Sequence, residues 1–344
     1  MHECAGRLET EIASTEKVLI DKFGRVFDYL RISIIENCNF RCLYCMPEKG
    51  IQFKKKSKLL KTDEIIRIIH IAADFGVRKI RLTGGEPLLH PDLERIVKAA
   101  AEVEQLKSIH ITTNGLLLHE KIAGLKKAGL SGLNISLDTF NEEKFKKIAR
   151  RDGLKRILNN IYQALYLGFQ NVKINVVMLR GFNDDELVDF VEFTRENDVT
   201  VRFIELMPFD SHQIWKTGHF VRVELLIDKL KTKHKDLLQT DGSSTEHHIF
   251  RLPGYRGQVA FIPSYSRSLC SGCTRIRLTA DGRIRNCLYS NSEYNVLELI
   301  RNGASDNQIG IYIKNAMWQK LKDGWESQRK SEPNQRNSMT QIGG

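Results

Sequence analysis

Three thiols near the start of the chain have the type and spacing that suit catalytic metal chemistry. Cys38, Cys42 and Cys45 fall within eight residues, in a polar loop that follows a strand-like segment. Structural zinc almost always has four ligands, and no histidine lies nearer than His70. Three thiolates on a 4Fe-4S cluster would leave one iron open to a small molecule. Inert buried cysteines are the alternative, but the polar loop favours the iron–sulfur interpretation.

A second group of three thiols, Cys270, Cys273 and Cys287, lies in the C-terminal part of the chain. A single zinc ion is one interpretation, with a fourth ligand from upstream such as His247 or His248. No histidine follows position 248 in the sequence. An iron–sulfur cluster with an open iron is the other interpretation.

Two arginines between these cysteines favour the cluster. Arg275 and Arg277 are two positions apart, so on a strand they would share one face. Arginine is the side chain best suited to bidentate contact with phosphate. A solvated strand face would explain the pair without any function, but the neighbouring thiols make a phosphorylated substrate the better hypothesis.

A glycine pair directly follows another strand-like segment, in the sequence Thr-Gly-Gly-Glu-Pro at residues 83–87. Glycine lets a backbone approach a ligand closely, so Gly84 and Gly85 could leave an N–H or C=O group for an ammonium or a carboxylate. Any strand-to-helix turn can use two glycines. The motif therefore indicates a ligand site only in combination with the cysteine loop that precedes it.

An alternation of strands and helices must position these residues. Apolar patterning predicts strands over residues 29–35, 79–83, 108–113, 133–137, 172–178 and 201–206. Helical patterns separate them, and the first helix is expected to have Thr62 as its N-cap. The alternation indicates parallel βα units and an α/β fold, a partial (β/α)6 barrel of the TIM type.

In such a barrel the active site lies at the C-terminal ends of the strands. Residues two apart on a strand share a face. Three pairs are therefore expected to point into one cavity: Ser136 with Asp138, Lys173 with Asn175, and Glu205 with Met207. A hydrogen bond within the fold would explain any one of these polar residues. Because polar or cysteine side chains occur at all six predicted strand ends, we expect them to line one pocket.

Beyond Pro208 the alternation stops and a second region begins. Short strands are predicted over residues 259–265 and 275–279, Asp281-Gly282 is a hairpin signal, and residues 295–325 indicate two amphipathic helices. We therefore divide the chain into an N-terminal extension (1–26), a partial barrel (27–208), a C-terminal cluster and substrate region (209–325) and a tail (326–344) that ends in Gly-Gly.

The composition limits the classes of function. A net charge of +11, from 53 Lys and Arg against 42 Asp and Glu, attracts phosphates of any kind. Aromatic residues are only 8%, which disfavours a basic zinc or iron–sulfur RNA-binding protein, the alternative from a different class. No apolar run has transmembrane or signal-peptide length. We therefore expect a cytoplasmic protein, in which closely spaced cysteines indicate metal binding or catalysis more often than a disulfide. We expect no nucleic-acid or membrane partner.

Together these motifs resemble the radical S-adenosylmethionine enzymes and, within them, the GTP 3',8-cyclase family. The resemblance runs from about Phe27 to Gly344. It rests on Arg31-Ile-Ser, Cys38-x3-Cys42-x2-Cys45-Met-Pro, Arg81-Leu-Thr-Gly-Gly-Glu-Pro, Thr112-Thr-Asn-Gly, Asn134-Ile-Ser-Leu-Asp, Lys173-Ile-Asn, Arg202-Phe-Ile-Glu-Leu-Met-Pro, Cys270-x2-Cys273-Thr-Arg-Ile-Arg277, Cys287 and the final Gly-Gly.

The resemblance implies a partial barrel of the radical S-adenosylmethionine type and a role for each motif. A 4Fe-4S cluster that binds S-adenosylmethionine would be held by Cys38, Cys42 and Cys45, with cofactor contacts from Tyr44, Gly85, Ser136 and Met207. A second 4Fe-4S cluster, whose free iron takes the guanine, would be held by Cys270, Cys273 and Cys287. GTP would be held by Arg31, Arg81, Thr112, Lys173, Arg275 and Arg277. The catalytic set implied is Cys38, Cys42, Cys45, Arg275 and Arg277.

The implied reaction is a lyase-type cyclisation that opens molybdenum cofactor biosynthesis. A 5'-deoxyadenosyl radical would take the hydrogen from ribose C3' of GTP, and attack on guanine C8 would give (8S)-3',8-cyclo-7,8-dihydroguanosine 5'-triphosphate. An electron donor is required, the downstream cyclic pyranopterin monophosphate synthase is a possible partner, and a homodimer is possible. The alternative within the superfamily is an enzyme with an auxiliary cluster that acts on another nucleotide or on a peptide.

Overall fold

The computed structural model describes residues 17–207, 218–240, 248–266, 270–331 and 338–342. Within these ranges twelve strands form one open sheet in the order β12-β11-β10-β1-β2-β3-β4-β5-β6-β9-β8-β7. The strands are β1 Tyr29–Ser33, β2 Lys79–Thr83, β3 Ser108–Thr113, β4 Gly132–Ser136, β5 Val172–Met178, β6 Thr200–Glu205, β7 Leu238–Thr240, β8 His248–Arg251, β9 Gln258–Ile262, β10 Arg275–Leu278, β11 Arg283–Arg285 and β12 Tyr294–Asn295.

Strands β1 to β6 lie side by side in chain order, and every neighbouring pair is parallel. This arrangement confirms the predicted α/β partial barrel. The helices that accompany the strands within the described residues are α1 Thr62–Asp74, α2 Leu93–Ala101, α3 Leu118–Lys127, α4 Glu142–Ala149, α5 Leu154–Tyr166, α6 Leu187–Glu196, α7 Val223–Lys233, α8 Val296–Arg301, α9 Asp306–Trp318 and α10 Gly324–Arg329.

The start of α1 differs by one residue from the prediction. Lys61 is the N-cap, and its backbone N–H donates to the Glu64 carboxylate at 2.7 Å. The hydroxyl of Thr62 donates instead to Asp92 at 2.7 Å, ahead of helix α2. The predicted N-cap at Thr62 is therefore wrong, because this hydroxyl joins two helices and does not cap its own.

The two faces of the parallel sheet have opposite character. One face is apolar and packs under the helices, as Ile32, Leu82 and Ile111 show by being fully buried. The other face carries charge, because Arg31 lies beside Arg81 in the register of β1 and β2, and Arg81 beside the histidine of β3. Barrels of this general type are usually filled by packed apolar side chains. A charged interior here indicates a ligand chamber.

The second region of the chain extends both edges of the barrel sheet. Strand β9 pairs in parallel with β6, and β10 pairs in parallel with β1. The β10–β11 pair is antiparallel, which confirms the hairpin predicted at Asp281-Gly282. Gly282 has φ +69°, and a Cβ there would meet Leu297 Cβ at 2.5 Å. The β10 pairing brings Arg277 directly beside Arg31.

The N-terminal extension is described only from residue 17 onward. Residues 17–27 fold back through a bridge between Ile20 and Val26, and Leu19 and Phe27 are fully buried in the main core. This part of the extension therefore packs on the main body. Among the described helices, none is long and apolar enough to cross a bilayer.

Candidate active site

Both thiol groups line one cavity. The cavity has a volume of about 360 Å³ and lies at the C-terminal ends of the parallel strands. Its walls include Cys38 and Cys45 from the first group and Cys270, Cys273 and Cys287 from the second. Cys42 is half-buried beside the core and does not form part of the wall. All six are free thiols.

The first thiol loop is held by its own backbone. The Cys45 N–H donates to the Cys42 carbonyl at 2.9 Å, and the Phe40 N–H donates to Cys38 Sγ at 3.4 Å. Burial raises the pKa of Cys38 to about 12 and that of Cys45 to about 11. Burial thus disfavours the thiolate form of both cysteines, and a metal cation at the sulfur is what would stabilise that form.

The glycine pair packs on the thiol loop itself. A Cβ on Gly84 would meet Ile35 O at 2.3 Å, and one on Gly85 would meet Asn37 O at 2.1 Å. The Gly85 N–H donates to the Ile35 carbonyl at 2.7 Å. Of the two backbone groups expected for a ligand, the N–H is thus already used within the protein. The glycines are needed first for the close approach of two loops, and Gly85 also reaches the cavity wall.

The next residue, Glu86, ties these loops to the end of β3. Its buried carboxylate accepts hydrogen bonds from the Thr113 hydroxyl at 2.6 Å and from the backbone N–H of Asn114 at 2.7 Å. Asn114 in turn donates to Asn39 in the thiol loop at 2.7 Å. Burial raises the pKa of Glu86 to about 7. The carboxylate therefore organises the loops around the cavity and does not face it.

Asp138 does not share the cavity with Ser136. Strand β4 ends at Ser136, so the alternation of faces is lost two residues later. Asp138 accepts a 2.7 Å hydrogen bond from the Tyr44 hydroxyl and a 2.8 Å bond from the Val177 N–H. The expectation for Asp138 is wrong, whereas Ser136 and Tyr44 both line the wall.

Lys173 also falls short of the cavity. It lies on the inward face of β5, two residues nearer the N-terminal end than Asn175, which does line the wall. The other expected pair, Glu205 and Met207, is present in the wall. Glu205 accepts backbone N–H bonds from Tyr265 at 2.8 Å and Ser266 at 2.9 Å. Glu205 thus fixes the loop that leads towards the second thiol group.

The second thiol group sits beside a buried cation. The ammonium of Lys320 lies 3.5 Å from Cys273 Sγ, and the Gly324 N–H donates to Cys270 Sγ at 3.3 Å. Burial would raise the pKa of Cys273, but Lys320 and Arg275 lower it to about 6. These cations therefore favour the thiolate form of Cys273, which is the form that ligates a metal.

The single-zinc interpretation of this group finds no support in the described residues. No three His, Cys, Asp or Glu side chains among them converge on one ion. His248 lies on β8, near the far edge of the sheet, and His247 lies outside the described residues.

Cations line the wall between the two thiol groups. Arg31 and Arg81 come from the barrel, and Arg275 and Arg277 come from the strand that joins its edge. Burial and the neighbouring Arg277 lower the pKa of Arg31 to about 9, and burial and Arg275 lower that of Arg277 to about 10. Such mutual repulsion in a buried wall favours binding of an anion.

Buried polar atoms of this wall that have no hydrogen-bond partner within the described residues include the Tyr29 hydroxyl, Arg31 Nε, Arg275 Nε and the Thr112 hydroxyl. Buried donors are normally satisfied, so atoms of this kind at a cavity wall indicate a polar ligand.

Several wall residues were not singled out from the sequence as ligand contacts. Tyr29, Arg202, Asn286 and Lys320 all line the cavity. Burial would raise the pKa of Tyr29, but Arg81, Arg31, Lys79 and Arg275 lower it below its ordinary value. The inward alternation of β1 could have identified Tyr29 and that of β6 Arg202. Nothing local marks Lys320, which follows helix α9.

The C-terminal tail enters the same cavity. Met339 and Thr340 line its wall. The Ser338 hydroxyl donates to the Cys45 carbonyl at 2.9 Å, and Ser338, Thr340 and Ile342 are buried. Gly343 and Gly344 lie outside the described residues.

Comparison with known proteins identifies the family. The Radical SAM superfamily matches residues 32–194, and Molybdenum Cofactor Synthesis C matches residues 199–325. A GTP 3',8-cyclase of Chlorobaculum tepidum is 42% identical over 332 residues, which cover 96% of this chain and 99% of that protein. The chain belongs to the GTP 3',8-cyclase family. Its two matched segments together carry all six cysteines of the two thiol groups.

Other members of the family include longer proteins. The mitochondrial GTP 3',8-cyclase of Arabidopsis thaliana is 43% identical, over 88% of this chain and 78% of that protein. Molybdenum cofactor biosynthesis protein 1 of Bos taurus is 46% identical over 85% of this chain but only 46% of its own length. The chain thus spans less than half of that relative.

The fold is shared with more distant proteins of known structure. The crystal structure of Streptococcus suis SuiB bound to S-adenosylmethionine matches with a TM-score of 0.60 and 15% identity, over 80% of this chain and 64% of SuiB. At this identity the match shows the common architecture alone.

Proposed function

We propose that this protein is a radical S-adenosylmethionine lyase that converts GTP to (8S)-3',8-cyclo-7,8-dihydroguanosine 5'-triphosphate, the first step of molybdenum cofactor biosynthesis. One observation carries the proposal: thiols of both cysteine groups, Cys38 and Cys45 from the first and all three of the second, line one cavity whose intervening wall carries buried and half-buried arginines. The Chlorobaculum relative of nearly equal length bears the name of this activity.

The thiols fit two 4Fe-4S clusters. Cys38, Cys42 and Cys45 would hold the first, and Cys270, Cys273 and Cys287 the second, each with one iron left open. When bound, the first cluster and S-adenosylmethionine supply a 5'-deoxyadenosyl radical for abstraction of a hydrogen from ribose C3'. N–H donors already face sulfur in both groups, at Cys38 and at Cys270, as is common around such clusters.

The residues beside the first thiol group would hold S-adenosylmethionine. Tyr44, Gly85, Ser136 and Met207 all reach the cavity wall on this side. The hydroxyl of Tyr44 already donates to Asp138. Tyr44 would therefore contact S-adenosylmethionine through its ring or its backbone. The Gly85 carbonyl is the backbone group that can accept from the ammonium, since its N–H is already used.

The arginine wall would hold the triphosphate. Arg31, Arg81, Arg275 and Arg277 bring cations from three adjacent strands, and the unpartnered Nε atoms of Arg31 and Arg275 can donate to phosphate oxygen. The Thr112 hydroxyl offers a further donor. Lys173 would act at longer range, because it does not form part of the wall. A peptide substrate would not need this concentration of cations.

The tail would complete the site. Met339 and Thr340 already occupy one wall, next to the Ser338 contact with the first thiol loop. We also propose a cytoplasmic location, where thiols stay reduced. The reaction would need an external electron donor, and the product would pass to the downstream cyclic pyranopterin monophosphate synthase. A homodimer is part of the same proposal.

The proposal is tested by anaerobic incubation of the reconstituted protein with GTP, S-adenosylmethionine and a strong reductant. We expect the cyclised nucleotide and 5'-deoxyadenosine to form together, and neither to form with the Cys42→Ala variant. Replacement of GTP by a peptide library or by other nucleotides should give no coupled product. Iron-free protein that still binds zinc stoichiometrically would overturn the proposal.

A further inference from the structure

One guanidinium of the N-terminal hairpin reaches the second thiol group. Arg25 Nη1 donates to the carbonyl oxygen of Cys270 at 3.0 Å and to that of Lys322 at 2.7 Å, while Nη2 donates to the Leu321 carbonyl at 2.7 Å. Arg25 is only 8% exposed. A single side chain therefore joins two segments of the C-terminal region that flank the Cys270 thiol.

A buried carboxylate fixes the orientation of this guanidinium. Arg25 Nε donates to Asp21 Oδ2 at 2.6 Å, and Asp21 Oδ1 accepts the backbone N–H groups of Phe23 at 2.9 Å and Arg25 at 3.0 Å. Asp21 is 2% exposed. The planar guanidinium offers its donors in a fixed fork, so fixing Nε also fixes the direction of both Nη groups.

The segment that Arg25 holds supplies donors to two thiols. At one end of residues 320–324, the Lys320 ammonium lies 3.5 Å from Cys273 Sγ, and at the other end the Gly324 N–H donates to Cys270 Sγ at 3.3 Å. The carbonyls that Arg25 holds, those of Leu321 and Lys322, lie between these two donors. We call residues 320–324 the sulfur-donor segment.

Donors to ligand sulfur change the properties of a cluster. Hydrogen bonds to the sulfurs are among the factors that set the reduction potential of iron–sulfur clusters. A donor stabilises the more negative, reduced state more strongly than the oxidised one, so it raises the potential. Groups that hold the first ligands in place also strengthen metal binding.

We propose that Asp21 and Arg25 are positioning residues for the second cluster: they hold the sulfur-donor segment so that its N–H groups reach Cys270 and Cys273. In this way they set the reduction potential of that cluster and the strength with which it is held. The inference rests on the second cluster of the proposed function. It gives residues 17–26 a role at the active site, although none of them lines the cavity.

A second arginine provides a matched control. Arg301 also binds one carboxylate and two backbone carbonyls: Nε donates to Glu64 at 2.9 Å, Nη1 to Ser57 O at 2.6 Å and Nη2 to Leu59 O at 2.9 Å. None of these partners carries a thiol or lines the cavity. The variant Arg301→Gln therefore removes the same chemistry from a place without a cluster.

The experiment isolates the second cluster in the full chain. The parent variant has Cys38, Cys42 and Cys45 all changed to Ser, so only the second cluster can form. The rate of iron release to a chelator is measured first. The reduction potential of the cluster is then measured by a reductive titration followed by electron paramagnetic resonance. We expect Arg25→Gln to release iron about tenfold faster and to have a more negative potential. Arg25→Lys and Asp21→Asn should change both quantities in the same direction but less, and Arg301→Gln should match the parent.

Two results would overturn the inference. One is that Arg25→Gln has the same reduction potential and the same iron-release rate as the parent. The other is that Arg301→Gln changes both quantities as much as Arg25→Gln does, which would show that the effect comes from general loss of stability. If Arg25→Gln does not fold, the values for Arg25→Lys and Asp21→Asn decide in the same way. A parent that binds no iron at all would overturn the second cluster itself, and with it the proposed function.

Discussion

The hydroxyl of Ser338 donates a 2.9 Å hydrogen bond to the backbone carbonyl of Cys45. This contact anchors the C-terminal tail on the first thiol loop, across 293 positions of sequence. Met339 and Thr340, the next two residues, form part of the cavity wall. The tail therefore belongs to the active site, although its sequence is as polar as that of a frayed terminus.

The tail leads to a prediction about the two glycines that follow it, Gly343 and Gly344, which lie outside the described residues. Deleting them should leave folding, both clusters and S-adenosylmethionine binding intact, because the anchor at Ser338 remains. GTP cyclisation should fall by roughly a hundredfold, the cost of misplaced catalytic groups. Circular dichroism, iron content and turnover are the measurements, and full turnover by the truncated protein would contradict the prediction.

The two thiol groups should differ in the step they support. Cys42→Ala should abolish both 5'-deoxyadenosine formation and GTP turnover, because the first cluster must cleave S-adenosylmethionine. Cys287→Ala should lose GTP turnover and retain some uncoupled cleavage. Chromatographic assay of both products checks the difference. Normal cyclisation by Cys287→Ala would show that the second group has a structural role only.

The arginine wall should act on GTP alone. Removing a charged hydrogen-bond partner costs about 1.5–3 kcal/mol, so Arg277→Ala should weaken GTP binding by roughly one to two decades. Binding of S-adenosylmethionine should not change. Calorimetry measures the affinity for each ligand. Arg301→Ala is the control, because Arg301 is partly exposed and lies outside the cavity wall. Equal weakening for both ligands would indicate a folding defect.

His110 gives the protein a predicted dependence of stability on pH. Burial, together with the nearby cations Arg81 and Lys79, lowers the pKa of His110 to about 3, against about 6.5 in an unfolded chain. Between these values only the unfolded chain binds the proton, so His110 contributes stability above pH 6.5 that is lost as the pH falls towards 3. The loss is at most about 1.4 kcal/mol per pH unit.

The variant His110→Asn removes this titration. Its melting temperature, measured anaerobically at pH 7.5 and 5.5, should fall less than that of the unchanged protein. His119→Asn is the control, because His119 lies partly exposed on the surface. Parallel losses in the His110 variant and the unchanged protein would contradict the assignment.

The parallel strands and the thiol motifs could be read from the sequence because both are local patterns. Strand β1, expected over residues 29–35, ends at Ser33; the Ile35 carbonyl instead accepts the Gly85 N–H. The expectation that Asp138 and Lys173 line the cavity fails for related reasons. Alternation fails once a strand has ended, and it shows the face of a residue but not its depth along the barrel.

The contacts that complete the site could not be predicted, because no local pattern marks them. The bond from Arg25 to the Cys270 carbonyl spans 245 positions, and the approach of Lys320 to Cys273 depends on how a helix end packs under the sheet. The parallel pairing of β10 with β1 likewise depends on the whole chain. Such contacts are set by tertiary packing and by the need to satisfy buried donors.

In the proposed reaction, a radical formed beside the first thiol group takes the hydrogen from C3' of a GTP held by the arginine wall. The most direct measurement uses GTP deuterated at ribose C3', incubated anaerobically with the reconstituted protein, S-adenosylmethionine and reductant. Mass spectrometry should find the deuterium in 5'-deoxyadenosine, in step with the cyclised nucleotide. Unlabelled 5'-deoxyadenosine, with the deuterium still in the nucleotide, would contradict the account.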